Sequence, residues 1–83
     1  MQGQELYVVV NVVRFGDDQY SHTSVYDTFE KAEKEKARII KEERREAQDI
    51  GYLVEEDNGM EYYAYVDNED YTISVEIFQV EVE

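Results

Sequence analysis

Between Glu55 and Asp70 the sequence reads EEDNGMEYYAYVDNED, seven carboxylates and three tyrosines with no basic residue. Such groups do three kinds of chemistry. Clustered carboxylates chelate calcium or magnesium, and paired carboxylates act as acid and base on glycosides. A carboxylate surface with tyrosines offers charge and rigid contact area to a basic partner. The first two fail on spacing and size. An EF-hand needs D-x-[DN]-x-[DN]-G with a glutamate at position twelve, and neither 55–61 nor 67–71 has it. A chain of 83 residues is too short for a normal glycosidase cleft. The single histidine, His22, stands near Ser21 and Ser24 without a nucleophile elbow. No Walker loop or dinucleotide fingerprint occurs. The expectation is a protein that is not an enzyme, with no catalytic residue, no metal and no cofactor.

Charge sharpens the third reading. There are 21 acids against 8 bases, a net charge of −13. Direct nucleic-acid binding and anionic membrane surfaces both call for Lys and Arg, so both are disfavoured. The charge is also segregated. Residues 29–49 hold seven acids and seven bases, while the rest of the chain holds fourteen acids and one base, Arg14. The net charge therefore belongs to the strands and loops, and residues 52–83 alone carry ten acids and no base. The expectation is that nothing balances these acids. Lys31, Lys34, Arg38, Lys41 and Arg45 gather opposite the apolar stripe of a helix, as an ordinary solvated face does.

The elements that must hold these groups are legible in the pattern. Leu6 to Phe15 is apolar on both alternating faces, which suits a central strand covered twice. Gly16-Asp17-Asp18 signals a turn, and Tyr20 to Tyr26 a returning strand. A helix is expected from Phe29 to about Asp49, capped by Asp27 with Glu30 or by Thr28, and stopped by Gly51. Phe29, Ala32, Ile39, Ile40, Ala47 and Ile50 share its apolar face. Lys36 and Glu43 fall inside that stripe, their stems lying along it while their heads reach water. Tyr52 to Glu56 is a short strand, Asn58-Gly59 suits a type I′ turn, and Met60 to Val66 returns. Asp67 to Asp70 is a second acidic turn. Tyr71 to Val82 switches phase near Glu76 to Phe78, which implies a bulge or a strand covered on different faces at its two ends. The fold class is α+β: one domain over residues 1–83, with a four- or five-stranded antiparallel sheet, one helix packed on one face, and the order β-β-α-β-β-β. Cysteine is absent, which excludes disulfides and thiolate zinc and fits a reducing cytosol. The opening MQGQELYVVV lacks the basic region of a signal peptide, and no apolar run approaches membrane-spanning length.

On the Met60–Val66 strand, Glu61, Tyr63, Tyr65 and Asp67 share one face, and Tyr62, Ala64 and Val66 take the core side. The acidic turns flank the exposed tyrosines, about 20 Å apart. The expected partner-binding residues are Glu55, Glu56, Asp57, Glu61, Tyr63, Tyr65, Asp67, Glu69 and Asp70, helped by Asp17, Asp18, Glu76 and Glu81. Duplex DNA carries one charge per roughly 1.7 Å, and several acidic strands and loops together imitate part of that density. The expected partner is a basic nucleic-acid-binding protein whose groove is blocked. Small size, acidity and the lack of a catalytic motif together resemble small phage-encoded inhibitor proteins of the nucleic-acid-mimic type, the anti-restriction and anti-CRISPR proteins. The resemblance covers the whole chain and is carried by no motif residue, so no family site transfers. It implies a defence nuclease as partner and the bacterial host cytoplasm as location. Two other readings stand beside it. One is a sponge for a nucleotide signal, with phosphates on Arg14 or the helix bases. The other is a small homo-oligomeric structural or assembly protein, a homodimer packed sheet on sheet, whose acidity only confers solubility.

Overall fold

The computed structural model describes residues 4–82; Met1–Gly3, part of the opening MQGQELYVVV, and Glu83 lie outside the described residues. The elements are β1 (Gln4–Phe15), β2 (Asp18–Tyr26), α1 (Phe29–Gln48), β3 (Leu53–Asp57), β4 (Glu61–Val66) and β5 (Tyr71–Val82). The five strands form one antiparallel sheet in the spatial order β2-β1-β5-β4-β3, and α1 lies on one side of it. The fold is α+β. No described helix is long and apolar enough to cross a membrane.

Alternation decides which side each residue takes. Val9, Val13, Tyr62, Ala64, Val66, Tyr71, Ile73, Val75 and Ile77 point to the helix side and are buried against Ala32, Ile39, Ile40 and Ala47. β1 is central, yet only this side of it is covered. Leu6, Val8, Val10 and Val12 are only half-buried on the open side. The phase change in β5 is not a bulge, because the β1–β5 register runs unbroken from Gln4↔Val82 to Phe15↔Tyr71. It marks the end of the helix instead. Phe29 in the first turn meets the Tyr7 ring edge-on at 5.7 Å, and Tyr7 is opposite Gln79. From Gln79 in that row onward the helix side of β5 has no cover: Gln79 and Glu81 are exposed, while Phe78, Val80 and Val82 lie on the open side.

Local chemistry sets the boundaries. Gly16 has φ 61° at the first position of a two-residue turn, where only glycine is unstrained and the hairpin twist is matched. The Asn58-Gly59 turn differs from the type I′ expectation. Asp57 pairs with Tyr62, so four residues make the connection, and only Gly59 has a positive φ. Asn58 Oδ1 accepts from the backbone N–H groups of Met60 and Glu61, a side-chain turn that replaces the tighter one. Thr28 caps α1 by accepting from the Lys31 N–H at 3.2 Å, and Asp27 is left to pair with the Lys31 ammonium. Ile50 lies past the helix end and is exposed, outside the core expected of it. Gly51 is required by proximity: a Cβ there would stand 2.9 Å from Cγ1 of buried Val66.

Thr28→Ala removes the cap and is expected to cost about 1 kcal/mol in urea unfolding, while Asp27→Ala costs less. Gly51→Ala is expected to lose about 1–2 kcal/mol, because Val66 has no room to retreat. A Gly51→Ala protein as stable as the parent would contradict that packing.

Candidate functional site: an acidic, tyrosine-bearing face and end

Tyr63 and Tyr65 stand on the open side of β4, 42% and 41% exposed, with ring centroids 6.4 Å apart. Residues paired across strands share a face, so the register sets their neighbours. Glu56 and Ser74 flank Tyr63, and Val54 and Thr72 flank Tyr65. One row further, Glu61 faces Glu76 directly. Partial desolvation raises the Glu76 pKa, and the Glu61 carboxylate raises it further. Glu56, Asp57, Asn58, Glu61 and Tyr63 border a shallow hollow of about 140 Å³ at the β3–β4 turn.

Glu55 does not join this face, and Asp57 reaches it only at the hollow. Their places in β3 put them on the helix side, so the expectation that nothing balances the acids of 52–83 is corrected at both. The Arg44 guanidinium lies 2.5 Å from Glu55 Oε1, which also accepts from the Tyr62 hydroxyl at 2.7 Å. Lys36 Nζ donates to Asp57 Oδ1 at 2.9 Å and to the Gly59 carbonyl at 3.1 Å. Burial raises the Glu55 pKa, but the bonds from Tyr62 and Arg44 outweigh it and hold the carboxyl below the usual range. The Gly59 N–H, then Lys36, lower the Asp57 pKa. Lys36 is 5% exposed and Glu43 7% exposed, so their heads do not reach water as expected. They reach Asp57 and Tyr20 instead.

The acids of two turns assemble at one end. The Gly16 N–H donates to the Asp70 carbonyl at 2.8 Å and ties the β1–β2 turn to the β4–β5 turn. Asp17 and Asp18 thereby join Asp67, Glu69 and Asp70. Asn68, with φ 65°, makes the bend between them. Glu81 is opposite Glu5 at the other end of the sheet and is not part of this group.

Beside the joined turns lies a recess of about 290 Å³, bordered by Phe15, Tyr20, Tyr71, Asp18 and Glu46. Phe15 and Tyr71 meet edge-to-face at 5.3 Å. The Tyr20 hydroxyl donates to Glu43 Oε1 at 2.5 Å, and Glu43 Oε2 is buried without a partner among the described residues. Burial first, and Glu43 second, raise the pKa of both tyrosines. Aromatic faces backed by carboxylates suit a cationic head group. Sequence reasoning alone does not find this recess. Its one local signal is Glu43, an acid inside an apolar stripe. The strand register that brings Phe15, Tyr20 and Tyr71 together has none. No group of three or more His, Asp or Glu side chains is arranged to hold a metal ion among the described residues.

Asp57→Ala leaves the Lys36 ammonium buried without its carboxylate and is expected to cost about 1–2 kcal/mol, discounted because Asp57 is half exposed. Because Glu55 and Asp57 have folded pKa values below their unfolded ones, their stabilisation is complete above about pH 4–5. It drains away as pH falls through the folded values. Asp57→Asn should therefore flatten the acid limb of a stability–pH curve measured by urea unfolding; an unchanged limb would refute the assignment. No protein-family model, no curated protein and no solved structure matches this chain.

Proposed function

We propose that this chain is a non-enzymatic binding protein that occupies a basic, nucleic-acid-binding groove of another protein and keeps nucleic acid out. The observation that carries the reading is the joining of the two acidic turns by the Gly16–Asp70 hydrogen bond, at the end where Tyr65 also stands. Five carboxylates, Asp17, Asp18, Asp67, Glu69 and Asp70, gather there, and Glu56, Glu61 and Glu76 lie further along the open face, with Arg14 between the two groups opposite Thr72. In this reading the carboxylates stand in for phosphates and draw the partner in electrostatically. Tyr63 and Tyr65 supply contact area at small entropic cost. The recess between Phe15, Tyr20 and Tyr71 takes a Lys or Arg side chain of the partner. Glu55 and Asp57 serve from behind, holding β3 to the helix. Such a protein fits a phage-encoded inhibitor of a bacterial defence nuclease, acting in the host cytoplasm.

The test is a charge reversal that spares the fold: Asp17, Asp18, Asp67, Glu69 and Asp70, all exposed, changed together to Lys. The parent protein, immobilised, is expected to hold a nucleic-acid-binding protein from bacterial lysate and to release it to high salt or to duplex DNA. The reversed protein, with an unchanged circular dichroism spectrum, should bind that partner at least about tenfold more weakly. Equal retention by both proteins would sink the reading.

A further inference from the structure

The open side of the sheet changes character along its length. From Val10, in the Glu61–Glu76 row, onward it is apolar: Val10, Val8 and Leu6 from β1, Val25 from β2, and Phe78 and Val80 from β5. The register makes these residues contiguous, with Val8 paired to both Val25 and Phe78, and Leu6 to Val80. None of the six carries a charge. Phe78 is 44% and Val25 56% exposed.

The molecule also has more surface than its mass calls for. Its accessible surface is 5930 Å². A compact monomer of 9.9 kDa would expose about 5,200 Å². The radius of gyration is 14.2 Å, against about 11.8 Å for a compact chain of this length. Both excesses belong to an elongated molecule, 52 × 23 × 17 Å, whose strands run past the helix and stay bare on the open side.

We infer that this apolar end binds a second copy of the chain, sheet against sheet, about a two-fold axis passing near Val8 and Phe78. A two-fold pairs a patch with itself, so an uncharged apolar patch is its own complement. A basic groove is no match for it. Position favours a second copy as well. The molecule is 52 Å long, and the joined acidic turns lie at the end away from the patch. Pairing at the apolar end sends the two acidic ends outward, several Debye lengths of about 8–10 Å apart. Sheets stack about 10 Å apart with their side chains interdigitated, and the β-branched residues here suit that packing. Glu76, opposite Val10, marks the rim where water begins.

This inference does not depend on the proposed partner, and salt separates the two. Sedimentation equilibrium of the full chain is expected to give about 20 kDa, twice the 9.9 kDa of one copy. Added salt should leave the dimer undiminished, because its contact is apolar and its acidic ends are already more than a Debye length apart, whereas salt weakens capture of a basic partner. Phe78→Glu and Val8→Lys, both on the side away from the helix, should each raise the dissociation constant at least about tenfold with an unchanged circular dichroism spectrum. A monomer at every concentration would overturn the inference. So would a dimer that survives both changes, as one built by edge-to-edge pairing of outer strands would.

Discussion

One helix can cover only one side of a sheet, and here it does not cover that side completely. The twenty residues of α1 span about 30 Å, while the twelve of β1 and of β5 span about 40 Å. The division of the sheet into covered and bare stretches follows from this mismatch. Under the helix the strands carry valine, isoleucine, alanine, buried tyrosine and one buried polar residue, Asn11. Past Phe29 the same strands carry Glu5, Gln79 and Glu81 on that side. The open side, with no helix to satisfy, is divided between a tyrosine and carboxylate half and an apolar half.

The helix also redistributes charge. Its acids and bases are equal in number, but they do not close on themselves. Arg38 bridges Glu35 and Glu42 along the helix surface. Lys36 and Arg44 reach across to Asp57 and Glu55 instead. Two carboxylates of the sheet are thereby neutralised on the helix side, and Glu43 is left in the interior with a tyrosine hydroxyl and no base at its Oε1. Most of the strands' remaining uncompensated charge sits on the open face, where Arg14 offsets part of it, and on the two joined turns; Glu5 and Glu81 stand apart at the other end of the helix side. The separation of charge is therefore a property of faces and ends in space more than of sequence intervals.

Much of this is legible in the order of the amino acids. The alternation of Tyr62, Tyr63, Ala64, Tyr65 and Val66 names the exposed and buried sides of β4 correctly. Gly16 marks its turn, and the helix runs from Phe29 as its apolar stripe implies, but it ends at Gln48 with Asp49 as its cap, and Gly51, without a positive φ, serves packing on Val66 instead. What cannot be read is any fact that depends on which strands are neighbours. The placement of β5 between β1 and β4 sets Phe15 on Tyr71, Glu76 on Glu61, and the acidic turns side by side. The partners of Lys36 and Glu43 are hidden for the same reason. A buried charge announces that it needs a partner but not where the partner is. At Asn58-Gly59 the local signal is sound, and the Asn58 side chain, bonding ahead to Met60 and Glu61, wins over the tighter turn.

The unbroken β1–β5 ladder has a kinetic consequence. Its paired residues are 56 to 78 positions apart in the chain (71−15 and 82−4). The β1–β2 and β3–β4 hairpins close locally, within microseconds for such units. Neither has a complete floor for α1, because Ile73, Val75 and Ile77 arrive only with the last strand. The central seam must therefore be zipped across nearly the whole chain, after its loop-closure entropy has been spent. Folding on the millisecond-to-second scale of high-contact-order domains is the result. Until it is complete, β1 waits with one bare edge and two apolar sides, the state in which so acidic a chain gains most from its own repulsion.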